Sequence, residues 1–145
     1  MVSRGMPGSD RPLPSAARPL PSAARPDDAL RGEPADRLYR RTLELTALVA
    51  ALAENLEVAR FHLRDRLDRD ATQLALVCRR AAAERAPSER RRAYREATPH
   101  AQACAALLDI IGIRLERTGR DRGLVDEAGA LLAEIIATMG HLASR

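Results

Sequence analysis

Aromatic residues are scarce in this chain of 145 residues, at 2%, and tryptophan is absent. The hydrophobic fraction of 46% therefore consists mainly of alanine, leucine, valine and isoleucine, which suits closely packed helices better than an aromatic-rich sheet. All 24 basic residues are arginine, and the absence of lysine excludes Schiff-base and P-loop lysine chemistry. Since no apolar run reaches about 18 residues, no segment is predicted to cross a membrane.

Cysteine is rare as well. Cys78 and Cys104 are too few for a disulfide framework, and both fall on apolar helical faces, where a free thiol acts as a small hydrophobe. The N-terminus lacks the apolar core of a secretory signal. These features predict a cytoplasmic protein.

Proline is concentrated at the start of the chain, where residues 1–34 hold seven of the nine. The heptapeptide Arg-Pro-Leu-Pro-Ser-Ala-Ala occurs twice in tandem, over 11–17 and 18–24. Such a segment cannot offset its ordering entropy by burying apolar surface, which predicts a disordered low-complexity tail. The alternatives are that its arginines touch an acidic partner, or that the segment results from a start assigned too far upstream.

From residue 35 to 145 the pattern changes to apolar residues three and four apart, which indicates amphipathic helices. Asp36 and Ser88 are predicted N-caps, Gly119 precedes the last helix, and Pro99 is predicted to kink the third near 95–99. Four such segments with short connections predict an all-α, up-and-down antiparallel four-helix bundle. The predicted helices span about 36–57, 62–85, 88–116 and 121–143.

Each predicted helix carries one apolar stripe toward a common core. The stripes comprise Leu38, Thr42, Leu45, Val49, Leu52 and Leu56; Leu63, Leu67, Leu74, Val77 and Ala81; Tyr94, Ala97, Ala101, Cys104, Leu108, Ile111 and Leu115; and Val125, Ala128, Leu132, Ile135, Met139 and Leu142.

Two features depart from these stripes. Asp70 falls on the second one, and we expect that helix to rotate onto Leu67, Ala71, Leu74 and Cys78 so that Asp70 reaches water. A further set of apolar residues widens the helix faces, either for lateral contacts within the bundle or for a subunit interface. This set comprises Leu48, Leu76, Leu107, Leu131 and Ile136.

Residues 62–110 carry motifs of a known family. The second predicted helix opens with His62-Leu63-Arg64-Asp65-Arg66-Leu67 followed by Arg69-Asp70-Ala71, and the third has Tyr94 and then Ala103-Cys104-Ala105-Ala106-Leu107-Leu108-Asp109. The chain thereby resembles the bacterial four-helix-bundle family, also called the 23S rRNA intervening-sequence protein family. This family is related to the accessory variability protein of diversity-generating retroelements.

The resemblance implies a bundle that assembles as a ring, with a homopentamer as the expected form, and a nucleic-acid-related role without catalysis. Two family motifs are replaced in this chain. Val77-Cys78-Arg79-Arg80-Ala81 stands where relatives have Asn-Ile-Ala-Glu-Gly, and Pro99-His100 stands where they have Gly-Ser. The resemblance therefore assigns the roles of the family's Asn and Glu to no residue of this chain.

The net charge of +4 is concentrated in one stretch of the chain. Residues 79–100 hold seven arginines and three glutamates, so this stretch contains the whole excess and the rest of the chain sums to zero. The seven arginines are Arg79, Arg80, Arg85, Arg90, Arg91, Arg92 and Arg95.

Clustered guanidinium groups suit phosphate oxygens, so these arginines are the candidate nucleic-acid-binding residues. Without interleaved aromatics or a base-reading motif, the contacts are expected on the RNA or DNA backbone. Two alternatives stay open. The arginines could form a solvated face paired with Glu84, Glu89 and Glu96, or they could meet an acidic protein.

The remaining clusters of polar residues in the sequence do not predict a metal site or a catalytic site. His100 and Cys104 lie one helical turn apart, but no second pair of ligands follows, so no metal site and no cofactor are predicted. Asp65, Asp68 and Asp70 alternate with arginines, which is typical of an exposed, salt-bridged helix. No catalytic triad order or glycine-rich phosphate loop is visible, so we expect no enzyme.

The function expected from the sequence is therefore a homo-oligomeric bundle that binds nucleic acid or a nucleoprotein, such as a reverse transcriptase to which it is an accessory factor. The alternative is a structural or adaptor protein that acts only through protein contacts.

Overall fold

The computed structural model describes residues 33–54 and 61–144, and within them the chain is helical and has no strand. The helices of this described part are α1 (Pro34–Glu54), α2 (Phe61–Ala83), α3 (Pro87–Arg117) and α4 (Gly123–Ala143). The predicted tail, and Leu56 of the first stripe, lie outside the described residues.

The helices form an up-and-down antiparallel four-helix bundle. α1 packs on α2, α2 on α3, α3 on α4, and α4 back on α1, so each helix has two lateral neighbours. This arrangement confirms the predicted fold class. Because short connections join antiparallel neighbours, the start of α1, the end of α2, the start of α3 and the end of α4 all lie at one end of the bundle.

The predicted apolar stripes form the core. Every described stripe residue is buried except Leu142, which is partly buried against the core. Thr42 is a polar residue of this core, and its hydroxyl donates to the backbone carbonyl of Tyr39 at 2.6 Å and is thereby satisfied. The small residues Ala97, Ala101 and Cys104 are fully buried on α3.

Both predicted N-caps are wrong. α1 begins at Pro34, which places Asp36 inside the first turn, where its charge favours the helix dipole. The residue before α3 is Ala86, with extended backbone at φ −78° and ψ 121°, and Pro87 opens the helix, so Ser88 lies within the first turn. Proline has a fixed φ suited to the first helical position, and in both cases it starts the helix earlier than the polar residue would.

Asp70 reaches water only in part. Its side chain is 20% exposed, and its carboxylate lies 3.2 Å from His100 Nδ1 on α3. The neighbouring stripe of Leu67, Ala71, Leu74 and Cys78 is buried as expected. The predicted rotation of α2 is therefore observed, but the prediction considered α2 alone and missed the polar partner that α3 brings to the edge of the core.

α3 continues through Pro99 as one helix of 31 residues. Pro99 has no N–H to donate to the carbonyl of Arg95, and it is exposed on the side away from the core. The neighbouring Thr98 hydroxyl bonds the carbonyl of Tyr94 at 3.0 Å. The kink predicted near 95–99 stays a prediction.

Most of the additional apolar residues are used inside the bundle. Leu107 and Leu131 are buried, and Leu48 and Ile136 pack partly buried against the core. Leu76 differs, since it is 57% exposed on α2. Lateral packing of the helices therefore accounts for four of the five residues.

Candidate nucleic-acid interface

The seven candidate arginines lie at one end of the bundle. Arg79 and Arg80 are in the last turns of α2, Arg85 is in the connection, and the remaining four are in the first turns of α3. We call this region the arginine end, comprising residues 34–40, 79–96 and 136–144. The structure thus brings all seven predicted site residues to one region, but their individual environments differ.

Arg90 has a structural role. Its guanidinium donates from Nη2 at 2.6 Å and from Nε at 3.2 Å to the backbone carbonyl of Glu84, just beyond the last turn of α2. This carbonyl has no partner within a helix, so Arg90 closes the α2–α3 connection. The partly buried side chain is therefore engaged in the fold.

Two further arginines are paired with carboxylates. Arg80 on α2 and Glu96 on α3 form an ion pair, with 2.7 Å between Nη2 and Oε2. Arg92 and Glu89, three residues apart on α3, are separated by 3.2 Å. These pairs agree in part with the alternative of a salt-bridged face, and both are exposed enough to exchange partners.

Arg79 links the site to α1. Its guanidinium carbon lies 5.7 Å from the centre of the Tyr39 ring, within the range of a cation–π contact. Arg79 remains exposed, while Tyr39 is partly buried against the core. The contact joins the first turns of α1 to the last turns of α2.

Arg85 and Arg95 are the candidates left to bind an external group. Both are exposed, and neither has an ion pair or hydrogen bond from its side chain to the described part of the chain. Arg91 is partly buried. An arginine without a partner can bind a phosphate without first losing an internal contact.

The sequence analysis missed the contribution of α1. Arg37 and Arg40 lie in its first two turns and join the arginine end because the bundle is antiparallel. Within the described residues, this end carries nine arginines and four carboxylates. The arginines are Arg37, Arg40, Arg79, Arg80, Arg85, Arg90, Arg91, Arg92 and Arg95, and the carboxylates are Asp36, Glu84, Glu89 and Glu96.

A signal for this contribution was present in the sequence, since Arg37 and Arg40 share an i, i+3 face near a predicted helix start. Arg41 follows them but points elsewhere, pairing with Glu134 on α4 at 2.8 Å and with Glu44 at 3.0 Å. The direction of each side chain around the helix therefore decides which arginines join the site.

The arginine end has no free aromatic surface on which a base could stack. Tyr39 has Arg79 over its ring, and Tyr94 is fully buried. Because base stacking on aromatic rings dominates sequence-tolerant binding of single strands, this arrangement suits contacts to phosphates instead.

His100 and Cys104, considered above as metal ligands, make contacts within the bundle. His100 contacts Asp70, and burial raises the pKa of the Cys104 thiol to about 12, with a further rise from the charge of Asp70. A thiol in that state is a poor nucleophile and a poor metal ligand. Arg64 and Asp65 form a long ion pair of 3.7 Å at the other end of the bundle.

The fold and the site define a four-helix bundle with one basic end. Comparison with known proteins found no matching family model, no matching curated protein and no matching solved structure. None of the described helices combines the length and apolarity that a membrane span requires.

Proposed function

We propose that this protein is a non-enzymatic, homo-oligomeric four-helix bundle that binds nucleic acid, or a nucleoprotein, through its arginine end. The observation that carries the proposal is the gathering of arginines from three helices at one end of the bundle, with Arg85 and Arg95 exposed and unpaired among the described residues. Such a concentration of guanidinium groups attracts a polyanion, and its forked donors match phosphate oxygens.

The binding mode follows from the side chains at this end. Arg85 and Arg95 contact the ligand first, while Arg79, Arg80 and Arg92 lie exposed around them. Arg90 contributes by holding the α2–α3 connection in place. Because no free aromatic ring accompanies these arginines, recognition is through the backbone of RNA or DNA rather than through base sequence.

Self-association is the second part of the proposal. Four large apolar side chains are exposed on the described surface, namely Leu43, Leu76, Ile110 and Ile113. These side chains, on α1, α2 and α3, are available for a subunit interface, and the family resemblance favours a ring of five. Multi-angle light scattering at micromolar concentration tests this part, and a monomer mass would contradict it.

The role of accessory factor to a reverse transcriptase rests on the resemblance alone. The competing function is a structural or adaptor protein with only protein partners, which the pairing of Arg80 and Arg92 with carboxylates favours. Both functions are compatible with a homo-oligomer. Salt-dependent binding to nucleic acid separates them.

The experiment is a fluorescence anisotropy titration with a labelled DNA duplex and a structured RNA, at several salt concentrations between about 50 and 200 mM. We expect affinity to fall steeply with salt, with a slope in log–log form of about −0.9 for each phosphate neutralised. The double variant Arg85→Ala/Arg95→Ala should weaken binding and reduce the slope.

The matched control is Arg114→Ala/Arg117→Ala. These two arginines are exposed in the last turns of α3, at the opposite end of the bundle, and the double variant removes the same charge. Equal effects of the two double variants, or an affinity indifferent to salt, would refute the proposal. Tight, salt-insensitive binding to a protein partner alone would establish the adaptor function instead.

A further inference from the structure

The ion pair Arg80–Glu96 differs from the ion pair Arg92–Glu89, which also lies at the arginine end. It joins α2 to α3 across 16 positions of sequence at 2.7 Å, whereas Arg92–Glu89 joins neighbours on one helix at 3.2 Å or more. Both partners are exposed, at 54% for Arg80 and 52% for Glu96. An incoming phosphate can therefore reach the guanidinium group directly.

The position of Glu96 matters for a polyanionic ligand. Glu96 pairs with Arg80, one of the seven candidate arginines, so its carboxylate lies within the surface that would receive phosphates. A carboxylate there repels the ligand and also occupies Arg80. An exposed ion pair contributes little free energy, so phosphate can compete with the carboxylate for the guanidinium group.

We infer that the carboxylate of Glu96 competes with the phosphates of a nucleic acid for the guanidinium group of Arg80. Because Glu96 occupies Arg80 in the free protein, it weakens nucleic-acid binding. This inference rests on the proposed function and adds a regulatory element to the same site. Neutralising Glu96 releases Arg80 for one more phosphate contact, and this raises both affinity and its dependence on salt.

The test compares Glu96→Gln with Glu84→Gln in the same anisotropy titration. Glu84 lies in the α2–α3 connection, and its side chain has no ion pair with the described residues, so Glu84→Gln removes one negative charge from the same end without releasing an arginine. The two variants therefore separate a local release of Arg80 from a general change of charge. Circular dichroism melts check that both variants fold like the wild type.

We expect Glu96→Gln to bind about two- to fivefold more tightly than Glu84→Gln, a range set by the strength of exposed ion pairs. Its salt slope should be steeper by about 0.9, equivalent to one additional phosphate contact. Arg80→Ala should cost more affinity in the Glu96→Gln background than in the wild type, which a double-mutant cycle measures.

The outcomes are distinguishable. If the wild type binds with the expected salt dependence but the two glutamine variants behave alike, the inference is overturned and the proposed function stands. The same holds if Arg80→Ala has equal effects in both backgrounds. If the wild type shows no salt-dependent binding, the proposed function fails and the inference with it.

Discussion

The hydroxyl of Tyr94 provides a direct test of the core. Tyr94 is fully buried on α3, and its hydroxyl has no hydrogen-bond partner among the described residues. Burial also raises the pKa of this hydroxyl to about 12, with the charge of Cys78 contributing to the rise. A buried polar group without a partner costs about 1–3 kcal/mol, and Tyr94→Phe removes that group while it keeps the ring. We therefore expect Tyr94→Phe to raise the free energy of unfolding, by up to that amount.

The measurement is urea denaturation followed by circular dichroism at neutral pH. Tyr39→Phe is the control, because Tyr39 is only partly buried and its substitution should change stability by no more than about 0.5 kcal/mol. Tyr94→Ala should lose about 3–5 kcal/mol, since it leaves a cavity where the ring packs. A loss of more than about 1 kcal/mol in Tyr94→Phe would refute the reasoning, because it would show that the hydroxyl makes a favourable bond.

Three further predictions concern the backbone, the thiols and the tail. Gly129→Ala should stabilise the bundle by about 0.5–1 kcal/mol, because Gly129 lies inside α4 with open space around it. Gly119→Ala should destabilise the bundle by about 1 kcal/mol, because Gly119 has a φ of 72°. Thermal melts of both variants measure this contrast, and equal effects would contradict it. Burial raises the pKa of Cys78 and of Cys104 from 9.0 to about 12, so the folded state holds these protons more tightly than the unfolded state, and stability should fall as pH rises from 9 to 12. Urea titrations at pH 8 and 10.5 measure this fall, and a cysteine-to-alanine variant with an unchanged pH profile would contradict the assignment. Deleting residues 1–30 should leave the melting temperature unchanged because so proline-rich a segment has little apolar surface to bury, and a lowered value would show that the tail supports the bundle.

The two candidate functions make different demands on the arginine end. A nucleic-acid-binding surface needs guanidinium groups that can leave their internal partners, and Arg85 and Arg95 meet this demand at once. An adaptor can use a surface in which Arg80 and Arg92 remain paired with carboxylates. Only an anionic ligand gains from the release of Arg80 in Glu96→Gln, so tighter binding by this variant indicates an anionic partner, and the salt-dependent titration with nucleic acid distinguishes a nucleic acid from an acidic protein.

Apolar spacing was sufficient to predict the helices and the core of this protein. Burying a stripe of leucine and alanine is the main source of stability for an amphipathic helix, and that stripe can be read from one segment at a time. The buried positions from Leu38 to Met139 on the described helices follow this rule. The predicted N-caps at Asp36 and Ser88 failed because local signals compete, and proline at the first helical position prevailed.

The sequence by itself thus determined four amphipathic helices and the stretch of chain that holds the positive excess. Only the tertiary structure decided what each charged side chain does, since a partner on another helix depends on how two helices align. It paired Asp70 with His100 and Arg80 with Glu96, and it used Arg90 to close the α2–α3 connection. It also added the arginines of α1 to the site, because antiparallel packing places the start of α1 next to the end of α2. Apolar burial is non-directional and follows from periodicity, whereas ion pairs and hydrogen bonds require a specific partner at a specific distance.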